Sequence, residues 1–148
     1  IYVNSILAKT EATMAGFDEA IILNHDGHVC EGSGENLFMI ANGKIHTSSL
    51  EDNVLPGITR ETIIQLAQSE LGVEVVERTI DRSELYLADE VFLTGTAAHL
   101  TPVIELDNRP IGSGSSGDIS TALQKMYFDI VVGNNPKYKH WCTTVIPT

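Results

Sequence analysis

Asn42-Gly43 narrows the possible folds of this chain more than any other pair of residues. It stands between two runs of strand character, Asn36–Ala41 and Lys44–Thr47. A two-residue turn of this kind needs positive φ at both positions, which asparagine and glycine reach at low cost. The pattern therefore predicts an antiparallel hairpin. Just upstream, the short apolar run Ala20–Leu23 and the segment His28–Cys30 flank Asn24-His25-Asp26-Gly27, again turn chemistry, and predict a second hairpin. Two hairpins so close together imply an antiparallel sheet.

Helical signals surround that sheet. Val3–Ala15 carries Ile6, Leu7, Thr10, Glu11 and Met14 at mixed helical spacings and runs into Gly16, a stop signal. Pro56-Gly57 opens the clearest helix, with Ile63, Ile64, Leu66, Ala67 and Leu71 as its apolar face and Gly72 placed to end it. Val73–Arg78 then reads as a strand, Ser83–Ala88 as a short helix and Glu90–Thr94 as a strand leading into the Gly95-Thr96-Ala97 turn. Leu100–Leu106 is another strand, where Pro102 requires a late start or an edge position. Asp118 is placed to cap a last helix through Val132, with Leu123, Met126, Tyr127 and Ile130 inward and Gly133 after it. The expected architecture is α+β: a mixed, largely antiparallel sheet or partial barrel with flanking helices, and no internal repeat.

Length and composition restrict function. A chain of 148 residues, 43% of them hydrophobic, supports one core and one domain. Twenty acidic against nine basic residues give a net charge of −11, which repels nucleic acid phosphates and leaves no basic stripe to offset the repulsion. No apolar run approaches the roughly 20 residues that cross a bilayer, so no membrane partner is expected. The chain starts at Ile1 without a methionine, and a processed or truncated beginning is expected. Cys30 and Cys142 are too few for a disulfide framework and fit a reducing cytoplasm. The histidines at 25, 28, 46, 99 and 140 are scattered, and no spacing supplies the converging ligands of a metal site.

One motif invites a nucleotide reading. Gly112-Ser113-Gly114-Ser115-Ser116-Gly117 is a literal G-x-G-x-x-G, but Asp107-Asn108-Arg109-Pro110 separates it from the preceding strand. Lys137 stands near the place where an acidic residue would meet a ribose. A flexible loop is the expected reading.

Three other segments carry chemistry. Glu31, bounded by polar residues and glycines, is either a solvated loop glutamate or a carboxylate able to stabilise a protonated aromatic nitrogen by a charge-assisted hydrogen bond. Leu55-Pro56-Gly57-Ile58-Thr59-Arg60 puts free N–H groups and a threonine hydroxyl at a helix N-terminus, where anions are favoured, although proline and glycine also simply start helices. Thr94-Gly95-Thr96-Ala97-Ala98 is a tight turn after a strand, and its small residues let backbone approach a ligand closely.

Together with Cys30-Glu31-Gly32-Ser33-Gly34-Glu35-Asn36-Leu37-Phe38, the last two segments resemble the branched-chain amino acid aminotransferases, fold-type IV pyridoxal phosphate enzymes. The likeness runs from Tyr2 to about Val145. It implies that residues 1–148 form the large, C-terminal cofactor domain, and that the smaller N-terminal domain and the Schiff-base lysine lie upstream of Ile1. It further implies that Glu31 faces the pyridine nitrogen of pyridoxal 5'-phosphate, that Ile58, Thr59 and Thr96 bind its phosphate, and that Tyr2 stands near its phenolic oxygen. Thr96 and Ala97 would hold the substrate carboxylate. The implied reaction moves the amino group of a branched-chain L-amino acid to 2-oxoglutarate in a homo-oligomeric parent, and the chain alone would be inactive. Lys9, Lys125, Lys137 and Lys139 do not occupy the lysine position of the family. D-amino acid aminotransferase and aminodeoxychorismate lyase share the same fold and site pattern; Gly34-Glu35-Asn36-Leu37-Phe38 and the stretch from Gly133 to Val145 favour the branched-chain group. From another class, a non-catalytic binding or self-association module is the competing expectation.

Overall fold

Residues 2–143 are described by a computed structural model; Ile1 and the Val145 end of the resemblance lie outside the described residues. Helix α1 (Val3–Met14) leads into a first hairpin of β1 (Ile21–Leu23) and β2 (Val29–Gly32), then a second of β3 (Asn36–Ala41) and β4 (Lys44–Thr47). The turn of the second hairpin carries φ of 53° at Asn42 and 72° at Gly43, the conformation its sequence demands. A 3-10 turn at Leu50–Asp52 precedes α2 (Ile58–Glu70), followed by β5 (Val75–Glu77) and the short α3 (Arg82–Leu85). Then come β6 (Glu90–Gly95), β7 (His99–Val103), a small pair β8 (Glu105–Leu106) and β9 (Arg109–Pro110), α4 (Asp118–Val131) and a 3-10 segment at Pro136–Trp141. Among the described residues no helix is long and apolar enough to cross a membrane.

Strand β3 is the centre of the sheet. It pairs with β4 and β6, antiparallel in both cases, and its first residue meets β2. β5 lies parallel to β4, and among the described residues β7 pairs only with β6, which gives Pro102 the edge position it requires. Beyond β5 the chain turns back toward the first hairpin: the Val29 amide donates to Ile80 O, and His28 bridges Asp81. The sheet thereby curls into the partial barrel expected of an α+β domain of this kind. The strand expected over 100–106 is interrupted after Val103, because Ile104 leaves β7 and β8 turns into its own hairpin at Asp107 and Asn108, both with positive φ.

Burial follows the pleat. Phe38 and Ile40 on β3, with Phe92 on β6, face α2 and α4, where Ile63, Leu66, Leu123 and Ile130 complete one cluster. Leu37 and Met39, with Val91 and Leu93, face the other way onto Val29, Ile80, Leu85 and Ile111. β3 is therefore covered on both faces, which explains a run that is apolar at every position from Leu37 to Ala41.

The termini of the helices differ from expectation in an instructive way. Gly117, not Asp118, occupies the N-cap of α4, and no side chain of that segment caps it. Glu90 reaches across from β6 instead, accepting the Ile119 N–H at 3.1 Å and the Ser120 N–H at 2.8 Å. A Cβ on Gly117 would sit 1.9 Å from Glu90 Cδ, so this glycine serves the close packing of that carboxylate. The glycine-rich loop is thus built against β6, and a protein carboxylate already holds the helix end where a nucleotide phosphate would bind. α3 begins on a reciprocal capping box between Asp81 and Glu84, one residue earlier than the sequence reading places it.

Helix α1 behaves unlike the others. It buries no residue, and Val3, Ile6, Leu7 and Met14 are all exposed.

Candidate functional site

The site forms where the end of β2, the start of β3, the end of β6 and the N-terminus of α2 meet. Glu31 on β2 lies opposite Asn36 on β3, and Asn36 lies opposite Thr94 on β6. Directly opposed residues of antiparallel strands share a face, so these three side chains form one polar rung on the side of α2. A bulge in β2 sets the rung. Ile22 pairs with Glu31 but Leu23 pairs with Val29, which leaves Cys30 as the extra residue. Such a bulge re-aims the residues beside it.

Leu55 ties the rung to the helix. Its amide donates to Glu31 Oε2 at 2.8 Å, and its carbonyl accepts the Asn36 Nδ2–H at 2.8 Å. Two residues on, Gly57 is the N-cap of α2, with extended backbone and no side-chain cap. The first-turn amides of α2 therefore present partial positive charge and, among the described residues, carry no protein carboxylate, in contrast to α4. A Cβ at Gly57 would lie 2.2 Å from Asn36 Oδ1, so only glycine lets the helix start come this close. Two details bear on what such a place can hold. Among the described residues Glu31 Oε1 makes no hydrogen bond, and the fully buried Thr94 hydroxyl has no partner.

The expected site residues fall as follows. Glu31 is half-buried in the rung, Ile58 is the exposed first residue of α2, and Thr59 behind it is buried. Thr96 and Ala97 are exposed in the turn that joins β6 to β7. That turn stands at the same end of the sheet, since a Cβ on Gly95 would be 3.0 Å from Gly34 O in the β2–β3 connection. Tyr2, exposed at the start of α1, borders a shallow depression with Ser5, Lys9 and Ser33, two residues beyond Glu31. Structure thus gathers Glu31, Ile58, Thr59 and Thr96 around one end of the sheet and leaves Tyr2 at its margin. The sequence reading misses Asn36 and Leu55 as parts of this arrangement. Asn36 lies within the motif quoted, but a backbone bond to a residue 19 positions away leaves no local signal.

Electrostatics around the rung are acidic. Burial pushes the Cys30 thiol up to about 11, with Glu31 and Asp52 adding to the effect, and the Sγ–H donates to Asn53 O. Burial also raises Glu35, assisted by Glu19 and opposed by the Gly34 amide. Burial pushes Glu19 upward too, but hydrogen bonds from Lys9, Ser33 and the Ala20 amide outweigh it and hold that carboxyl below its ordinary value. Thiol reactivity checks the first of these. Since the thiolate is the reactive form, Cys30 is expected to stay unmodified by a disulfide reagent at pH 8 while exposed Cys142 reacts. One fast equivalent in the native chain and two after denaturation is the expected result; two fast equivalents would contradict the burial of Cys30. Among the described residues no three His, Cys, Asp or Glu converge as a metal site would require.

Comparison with known proteins adds independent findings. Residues 1–106 match the family model for class IV amino-transferases. The chain is 60% identical over 144 residues to a probable branched-chain-amino-acid aminotransferase of Aquifex aeolicus, covering 97% of this chain and 46% of that protein. It is 49% identical over 144 residues to the branched-chain-amino-acid aminotransferase of Pseudomonas aeruginosa, again 97% of this chain and 46% of the relative. Among solved structures, the PLP form of the branched-chain amino acid aminotransferase from Thermobaculum terrenum superposes with a TM-score of 0.93 at 44% identity, over 96% of this chain and 46% of that one. The chain spans about half the length of the curated relatives it matches.

Proposed function

Because this chain belongs to the class IV amino-transferase family, we propose that it is the cofactor-binding part of a branched-chain amino acid aminotransferase that uses 2-oxoglutarate as acceptor. The observation that carries the reading is the pairing of a carboxylate with a free oxygen and an uncapped helix start, joined through the two backbone groups of Leu55. Pyridoxal phosphate fits that donor set. It has a ring nitrogen for the first group and a phosphate for the second.

When bound, the cofactor supplies an electron-withdrawing ring that accepts the negative charge left by proton loss from the amino acid carbon. The chain's own residues would do the following. Glu31 Oε1 holds the proton on the ring nitrogen while Oε2 stays anchored to the Leu55 amide. The amides of Ile58 and Thr59 and the hydroxyls of Thr59 and Thr96 bind phosphate, and the Thr96-Ala97 turn orients the substrate carboxylate. Tyr2 stands beside the phenolic oxygen. A glutamate cannot replace an amine as covalent carrier. Lys9, the lysine beside Tyr2, is engaged by Glu19 and by the Asp18 carbonyl. The 148 residues by themselves are therefore expected not to turn over, and a longer, oligomeric chain carries the lysine and the rest of the pocket.

Borohydride trapping tests the reading. After incubation with pyridoxal phosphate and reduction, the intact mass is expected to stay at 16.1 kDa without a specific adduct, while a chain extended to the length of its relatives gains one adduct and aminates 2-oxoglutarate from L-leucine. Steady transamination by the 148 residues, or turnover of D-alanine and not L-valine by the extended chain, would overturn it.

A second reading, a self-association module, is favoured by one observation. Val3, Ile6, Leu7 and Met14 of α1 are exposed, while Ala8, Ala12 and Ala15 of the same helix border a groove of about 610 Å³ walled by β1, β7 and β8. Sedimentation of the same sample distinguishes it, since a monomer at every concentration would count against that reading.

A further inference from the structure

Asn36 has no role in the chemistry described above, yet it touches both halves of the site. Its Nδ2–H donates to Leu55 O, and its Oδ1 fills the space that a side chain at Gly57 would need. It is 6% exposed and lies in the sheet between Glu31 and Thr94. The Leu55 side chain is exposed and contributes no anchor of its own, so the Leu55 peptide groups are set by their bonds to Glu31 and Asn36, beside the buried Val54 side chain and the Cys30 bond to Asn53 O. The carboxylate end and the phosphate end of the site are thus set apart by one short path: Glu31, the Leu55 peptide groups, Gly57.

We propose that Asn36 is a positioning residue that fixes the separation between the Glu31 carboxylate and the N-terminus of α2, so that a rigid ligand carrying both a pyridine nitrogen and a phosphate engages the two ends at once. This rests on the cofactor reading above. A planar ring cannot stretch, so a site that misplaces either end loses one contact or strains both. A ligand that needs only one end is indifferent to their separation. Asn36 therefore acts on affinity for the joined ligand and not on affinity for its pieces.

The test is a binding cycle on the 148-residue chain with two probes, pyridoxal phosphate and inorganic phosphate, followed by calorimetry and by the cofactor's absorbance. Asn36→Ala is expected to weaken pyridoxal phosphate about tenfold, the equivalent of one hydrogen bond, and to leave inorganic phosphate within about twofold. Gly57→Ala drives a methyl group against Asn36 Oδ1 and is expected to weaken pyridoxal phosphate similarly. In the double variant the methyl group meets no amide, so the two losses should not add. Urea midpoints confirm that each variant is folded, and Gly57→Ala, at a half-buried loop position, carries the test if Asn36→Ala does not fold. Equal losses for both probes, or additive losses in the double variant, would overturn the spacing role and leave Asn36 a plain support of the helix end. If the unaltered chain binds phosphate but shows no preference for pyridoxal phosphate, the cofactor reading itself fails and the spacing role falls with it.

Discussion

Glu31→Gln, placed in a chain extended to the length of its relatives, is expected to lower kcat for transamination of L-leucine by about 10²- to 10³-fold, the usual cost of losing one preorganised electrostatic group. The substitution is nearly isosteric. Glutamine keeps an oxygen to accept the Leu55 N–H, so the loop and the start of α2 should stay where they are. What disappears is the negative charge that would hold a proton on the ring nitrogen. The loss should therefore appear in kcat far more than in KM, with an unchanged urea midpoint. Steady-state kinetics decide the matter: activity within about twofold of the unaltered enzyme would remove Glu31 from the site.

Phe92→Ala is expected to cost about 3–5 kcal/mol of unfolding free energy, the range for deleting a fully buried aromatic ring. Phe92 and Phe38 are register partners on β6 and β3, both 0% exposed, and their rings stack with centroids 4.9 Å apart and planes 6° apart. Each also lies two residues from a member of the polar rung, Thr94 and Asn36, on the same sheet face. A void at Phe92 thus opens directly below the site. Phe92→Leu, which refills much of the volume, should lose less than half as much. Urea titration measures both, and a loss below about 1 kcal/mol for alanine would mean that the stack does not organise the centre of the sheet.

Much of this architecture is legible from local patterns. The Asn42-Gly43 turn, the start of α2 at Pro56-Gly57 and the apolar face from Ile63 to Ala67 all depend on residues within a few positions of one another. Such signals survive in a linear reading because turn and helix chemistry is local. The α4 cap is misassigned from sequence for the opposite reason. Asp118 looks like a cap by its position, but Glu90, 29 residues before Ile119, supplies the carboxylate. The glycines of the loop at 112–117 read locally as flexibility; Gly117 in fact accommodates Glu90.

The sequence by itself determined that this is an α+β domain centred on antiparallel hairpins, and the family resemblance carried by its short motifs, rather than their local chemistry, marked Glu31, Ile58, Thr59 and Thr96 as candidate site residues. Tertiary structure alone decided how those motifs are joined. The bulge at Cys30, the rung of Glu31, Asn36 and Thr94, and the bracket on Leu55 arise from pairing between strands and from backbone bonds across 19 and 24 residues. Backbone N–H and C=O groups are the same at every position, so the bonds they make with distant side chains exist only once the sheet has set its register.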